Sequence, residues 1–175
     1  MKSLHASAGF TLQELLVVMA ITGIVAAMAA PSFRDFVVQR SITAQITDLT
    51  SAMRLARSEA IKRGREVSMC PTSNPNAAKP GCDRRSNDWA KGYIIFIGST
   101  GGKDQYIRIQ QPYENGGQIL TEAYDAIRFR PNGVLKTGGS RTFRFSPKGA
   151  DKDAALKKLE KKVCISPTGV LAPCK

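Results

Sequence analysis

Three different patterns of hydrophobic and polar positions follow one another along the chain. From Leu15 to Phe33 no residue carries a charge, close to the roughly 20 apolar residues that a helix needs to cross a bilayer. The run is apolar on every face, unlike the one-sided stripe of a surface helix. Gly23, Ala26, Ala27, Ala29 and Ala30 make it rich in small residues, which lets helices approach closely in a membrane or filament core. Pro31 lacks a backbone donor and crowds the preceding turn, so a kink or break is expected there. Beyond it the period changes. Ile42, Ile46, Leu49, Met53, Ala56 and Ala60 recur at helical steps, with Arg40, Gln45, Asp48, Arg54, Arg57, Glu59 and Lys62 between them. That is one apolar stripe on an amphipathic helix. Gly64 stops it, and Lys62 and Arg63 suit the negative end of its dipole.

After Gly64 the pattern is that of strands. Val67 and Met69, with Cys70 after them, read as a first strand, followed by a loop from Pro71 to Asp88 rich in Pro, Asn, Gly and charge. Such a long loop calls for a staple. Gly92 to Ile97 is a strong strand, Tyr106 to Ile109 alternates well, and Gln118 to Thr121 is weaker. Three related turns then recur: Pro131-Asn132-Gly133, Pro147-Lys148-Gly149 and Pro167-Thr168-Gly169. Proline presets the first turn position and glycine tolerates the left-handed conformation, so each reads as a turn at a strand end. No helix opens on a nest of glycines, so a phosphate loop is not indicated.

Charge and cysteine content narrow the function. Among 175 residues, 26 are basic and 14 acidic, giving a net charge of +12, which favours anionic surfaces or partners without dictating a fold. Cys70, Cys82, Cys164 and Cys174 form two local pairs without zinc-ligand spacing, and the sole histidine is His5. No metal or other cofactor is expected. Downstream of an export signal, disulfides are the natural reading, and the local pairing Cys70–Cys82 and Cys164–Cys174 is the expected one of three connectivities. With no nucleophile beside a plausible base, catalysis is not expected. Lys157, Lys158, Lys161 and Lys162 gather before the final strand as a candidate basic contact patch. At helical spacing, Lys157/Lys161 and Lys158/Lys162 would be like-charge neighbours that disfavour a helix, so a solvated loop is expected.

The front edge of the apolar run carries the most specific signal. A polar leader from Met1 ends at Gly9, and Phe10-Thr11-Leu12-Gln13-Glu14 leads into the helix. A carboxylate at the edge of lipid is expensive and calls for a partner. A conventional secretory signal, with Ala27-Met28-Ala29 as its cleavage site, would not place Glu14 in its apolar core. The stretch closely resembles the type III signal of type IV pilins and their relatives. That resemblance implies that a prepilin peptidase cuts after Gly9 and methylates Phe10. It also implies that Glu14 neutralises the terminal amine of a neighbouring subunit. An ion pair of this kind is strong in low dielectric, although desolvation offsets much of the gain.

Further residues narrow the branch: Ala56 to Arg63 at the helix end, Asp88 to Phe96, Ala126 to Gly133, and Val163 to Gly169. Together they resemble the GspH/FimT family of minor pilins and pseudopilins. The resemblance implies an α+β, type IV pilin-like fold, with a long N-terminal helix packed on antiparallel β-sheet structure. Its parts would be a leader over 1–9, a helix over 10–64 and a β-rich globular part over 65–175. Within the helix, 10–31 would serve the membrane or filament core and 32–64 would be amphipathic. Ile95, Ile107, Phe129 and Phe143 are candidate partners for its stripe. The implied role is a structural minor pilin that helps initiate pilus assembly at or near the tip. A type II secretion pseudopilin is the alternative. Partners would be other minor and major pilins, the prepilin peptidase and, before assembly, the inner membrane, with the globular part in the periplasm. A DNA-uptake role is the third class. Some relatives bind DNA through Gly-Arg-x-Arg after the last strand, but Gly169 is followed here by Val170-Leu171-Ala172. DNA binding that is weak and salt-sensitive is the upper bound of what is expected.

Overall fold

A computed structural model describes residues 11–99, 105–114, 117–122, 126–136 and 141–174. The chain forms two compact units, Met1–Val37 and Val38–Lys175. The helix α1 runs Leu12–Arg63, and its described side chains within the first unit all face solvent. Leu15, Leu16, Met19, Ile24 and Val25 are each more than half exposed, and the mean hydropathy of its most apolar stretch is 2.1. That is long and apolar enough to span a membrane. Helical structure runs through Pro31, so the break expected there does not divide the element. One missing donor and a crowded turn are a local distortion, which intact hydrogen bonds on either side can absorb.

In the second unit the same helix becomes one-sided. Ile42, Leu49, Ala52, Met53, Ala56 and Ala60 are buried, and Ile46 packs half-buried against them. Two four-stranded antiparallel sheets supply the other side. The first has strand order β3-β2-β1-β5, with β1 Val67–Pro71, β2 Tyr93–Ile97, β3 Tyr106–Gln110 and β5 Ile127–Phe129. The second has order β4-β6-β7-β8, with β4 Gln118–Thr121, β6 Arg141–Ser146, β7 Lys161–Ile165 and β8 Leu171–Pro173. Alternation sends Met69, Ile95 and Phe129 from the first sheet, and Ile119, Phe143 and Ile165 from the second, into one core with the helix. Each such side chain contributes roughly 1.5–3 kcal/mol when fully buried.

Trp89 joins the sheets within that core. It opens a single 3-10 turn, Trp89–Lys91, capped by Asp88. Its ring lies edge-on to Phe143 at 5.5 Å and tilted to Tyr93 at 6.0 Å. Asp88 Oδ1 accepts from the N–H of Ala90 at 3.0 Å and of Ile119 at 3.1 Å, tying the turn to β4. The opposite face of the first sheet carries a smaller cluster of Cys70, Ile94 and Phe96, against which Cys82 packs. The 72–88 loop lies over it, held by the Cys70–Cys82 disulfide and by the Tyr106 hydroxyl donating to the Pro80 carbonyl at 2.7 Å. A second disulfide, Cys164–Cys174, links β7 to the residue after β8.

Candidate functional site

The first turn of α1 is set by Thr11, whose hydroxyl accepts from the Glu14 N–H at 3.2 Å. Thr-x-x-Glu is the sequence of a capping box, and a carboxylate in the first turn also suits the positive end of the helix dipole. Glu14 therefore stands exposed at the start of an exposed apolar helix, aimed at no group of its own domain among those described. Gly9 and Phe10, where cutting and methylation are expected, lie outside the described residues.

A polar knot fastens the other half of the helix. Asp48 Oδ2 accepts from the hydroxyls of Tyr93, at 2.9 Å, and Tyr113. Oδ1 accepts from Arg108 Nη2 at 2.7 Å, and the same nitrogen donates to Gln110 Oε1. Burial pushes the Asp48 carboxyl up, but the hydrogen bonds from Tyr113, Arg108 and Tyr93 outweigh it and hold the group below the usual aspartate value. Burial raises both phenols well above their ordinary range; the Asp48 charge adds to this at Tyr93, and Tyr93 and Asp48 add to it at Tyr113. In the sequence Asp48 is one of the polar residues between the stripe positions, and nothing there points to this role. Its partners lie 45 to 65 residues away, and no local signal marks them. An open cavity of about 390 Å³ adjoins the knot between Ser41 and Asp48 on α1 and Pro112 to Glu114. Among the described residues its acidic groups are Asp48, already engaged, and Glu114.

The three Pro-x-Gly turns all close after strands, and their glycines take φ of +75°, +87° and +78° at Gly133, Gly149 and Gly169. Gly133 abuts Ile61 and Arg57 at the end of α1, while Gly169 abuts the Phe129 ring and the Gly133 carbonyl. The Leu135 N–H donates to the Pro167 carbonyl at 3.1 Å. The first and third turns therefore lock the helix end to both sheets.

The basic region departs from expectation. In place of a solvated loop it holds a short helix α2, Ala154–Lys157, capped by Asp153, and then β7 begins at Lys161. All four lysines are exposed. Lys161 and Lys162 are successive strand residues and point to opposite faces. Lys161 Nζ reaches Thr43 Oγ1 at 3.3 Å, whereas Lys162 pairs across the sheet with Arg144. Among the described residues no cluster of His, Cys, Asp and Glu is placed to hold a metal.

A family model described as "Type II transport protein GspH" matches residues 45–169, and one described as "Prokaryotic N-terminal methylation motif" matches residues 4–30. A fimbrial protein of Pseudomonas aeruginosa is 39% identical over 64 residues, 37% of this chain and 41% of that protein. This chain thus covers about two fifths of that relative's length. Fimbrial protein Q of Moraxella bovis is 34% identical over 131 residues, 70% of this chain and 83% of that one. The crystal structure of the type IV minor pilin FimU of Pseudomonas aeruginosa aligns with a TM-score of 0.57 at 20% identity, covering 79% of this chain and 88% of that chain. This last likeness establishes the fold.

Proposed function

The chain belongs to the GspH family of type IV pilin-like proteins, a structural family, and from that premise we propose that it is a minor pilin. In this reading it is a low-abundance subunit that helps start a type IV pilus and sits at or near its tip. The prepilin peptidase cuts after Gly9 and methylates Phe10. The mature chain waits in the inner membrane with its globular part in the periplasm, then enters a filament beside other minor and major pilins. The observation that carries the proposal is the methylation motif running directly into an exposed apolar helix whose first turn holds Glu14. Such a helix has no partner for its surface or its charge within the described fold, and a bundle of like helices supplies both. The mature chain is expected to begin at methylated Phe10 and to appear by mass spectrometry in sheared pili. Glu14→Val should leave membrane insertion intact, since the helix becomes more apolar, and should lower incorporation into filaments. An amino terminus at Ala30 would instead mark an ordinary secreted protein.

The second reading is a type II secretion pseudopilin, favoured by the description of the matching family model. Deleting the gene separates the two. Loss of surface pili with secretion intact supports the pilus; the converse supports the secretion system.

A further inference from the structure

At the end of α1 the side chains of Arg54, Arg57 and Ile61 follow one another at helical spacing on one side of the helix. Arg54 is exposed, Arg57 half-buried, and Ile61 retains 52% exposure, unusual for an isoleucine in the well-packed half of the helix. The turn at Gly133 sits against Ile61 and Arg57, and the turn at Gly169 sits against Gly133. This brings exposed Arg130 and Pro131, on one turn, and Val170, 51% exposed, on the other, to the same surface. The result is an aliphatic centre with arginines around it.

Two described carboxylates nearby already hold other cations. Glu59 pairs with Arg63 at 2.5 Å and Glu66 with Lys136 at 2.7 Å. Among the described residues no carboxylate pairs with Arg54, Arg57 or Arg130. We propose that this surface docks a different subunit of the assembly, one that presents an aliphatic spot ringed by Asp or Glu. The proposal rests on the reading of the chain as a filament subunit and names the contact face within it. Three features choose the partner. Arginine with exposed aliphatic residues is the composition of a protein interface, where Arg is enriched and Lys depleted. A nucleic acid offers phosphate but nothing for Ile61, Pro131 and Val170, and none of the residues named on this surface is an aromatic on which a base could stack. A second copy meeting the same patch would set arginine against arginine, in a chain already at +12.

The test uses the full chain in its host. R130K keeps the charge and adds an amine that a carbodiimide joins directly to a contacting carboxylate. Sheared filaments and membranes are cross-linked and the linked peptides sequenced. The expected product joins residue 130 to an Asp or Glu of another pilin-like subunit. R54E in the same background should lower that product roughly ten-fold, by placing like charge at the contact, and leave links from Lys148 unchanged. Should R54E reduce the amount of protein, R54Q gives the same direction with a smaller drop. The proposal is overturned if residue 130 links to no carboxylate of another subunit, links only to a second copy, or links to a partner removed by nuclease. Absence of the chain from filaments refutes the filament reading separately, and the patch is then judged on the membrane fraction alone.

Discussion

At the scale of single residues, two carboxylates on one helix have opposite situations. Glu14 stands at an exposed first turn, with no partner of its own fold described. Asp48 has three donors from three parts of the chain. The Asp48 knot fixes the helix against β2 and β3 through directed bonds, where the apolar stripe alone would allow sliding. Its pH dependence follows from the lowered carboxyl. A depressed folded value means that the stabilisation is present above the ordinary value of 3.8 and is lost as pH falls through the lower folded one. Asp48→Asn should therefore destabilise the detergent-solubilised protein by about 1–2 kcal/mol at neutral pH, a modest figure because the side chain keeps 28% exposure. Thermal unfolding at pH 7 and at pH 3 or below checks this: the gap between the two proteins should shrink in acid. A gap unchanged in acid would assign the effect to packing in place of charge.

At the scale of elements, the second disulfide holds the least anchored strand. β8 is three residues long, pairs only with β7, and is followed at once by Cys174. The bond closes a loop of about ten residues, which the chain-entropy model values at roughly 2.5–3 kcal/mol. Replacing Cys164 and Cys174 by serine should raise amide exchange in β8 and the 167–169 turn while β1 and β2 stay protected. Equal loss of protection in both sheets would show that the bridge stabilises the whole unit. Several of these elements were legible in the sequence because their signals are local. The Ile42–Ala60 stripe, the strand at Tyr93–Ile97 and the three Pro-x-Gly turns each announce themselves within a few residues. The pairing of β5 with β1 and of β4 with β6 does not, because strand order is settled by long-range packing. Asp48 reads like any charged residue between stripe positions, since Tyr93, Arg108 and Tyr113 are distant in sequence. The lysine run misled for a third reason. Like charges four apart disfavour a helix and read as a solvated loop, but Val163 and Ile165 alternate into the core and draw Lys161 and Lys162 into a strand.

At the scale of the whole molecule, the question is what a charge of +12 does when it is spread over the surface. Strand geometry divides Lys161 from Lys162, and Lys157 and Lys158 sit at the end of α2. A duplex following one face of the protein could then reach about two or three of the four. Each phosphate neutralised contributes a slope of about −0.9 in log affinity against log salt, so two or three contacts lower affinity roughly 10- to 40-fold between about 50 and 200 mM salt. Little preference for base sequence is expected, because contacts to phosphate carry no sequence information. Binding of a labelled duplex to the detergent-solubilised protein, followed by fluorescence anisotropy across that salt range, should therefore be weak and should fade at physiological ionic strength. Replacing the four lysines by alanine should flatten the salt slope by no more than about two or three contacts. Tight binding that survives physiological salt in the native protein and vanishes in the alanine variant would require the lysines to converge on one ligand. That result would recast the molecule as a nucleic-acid receptor.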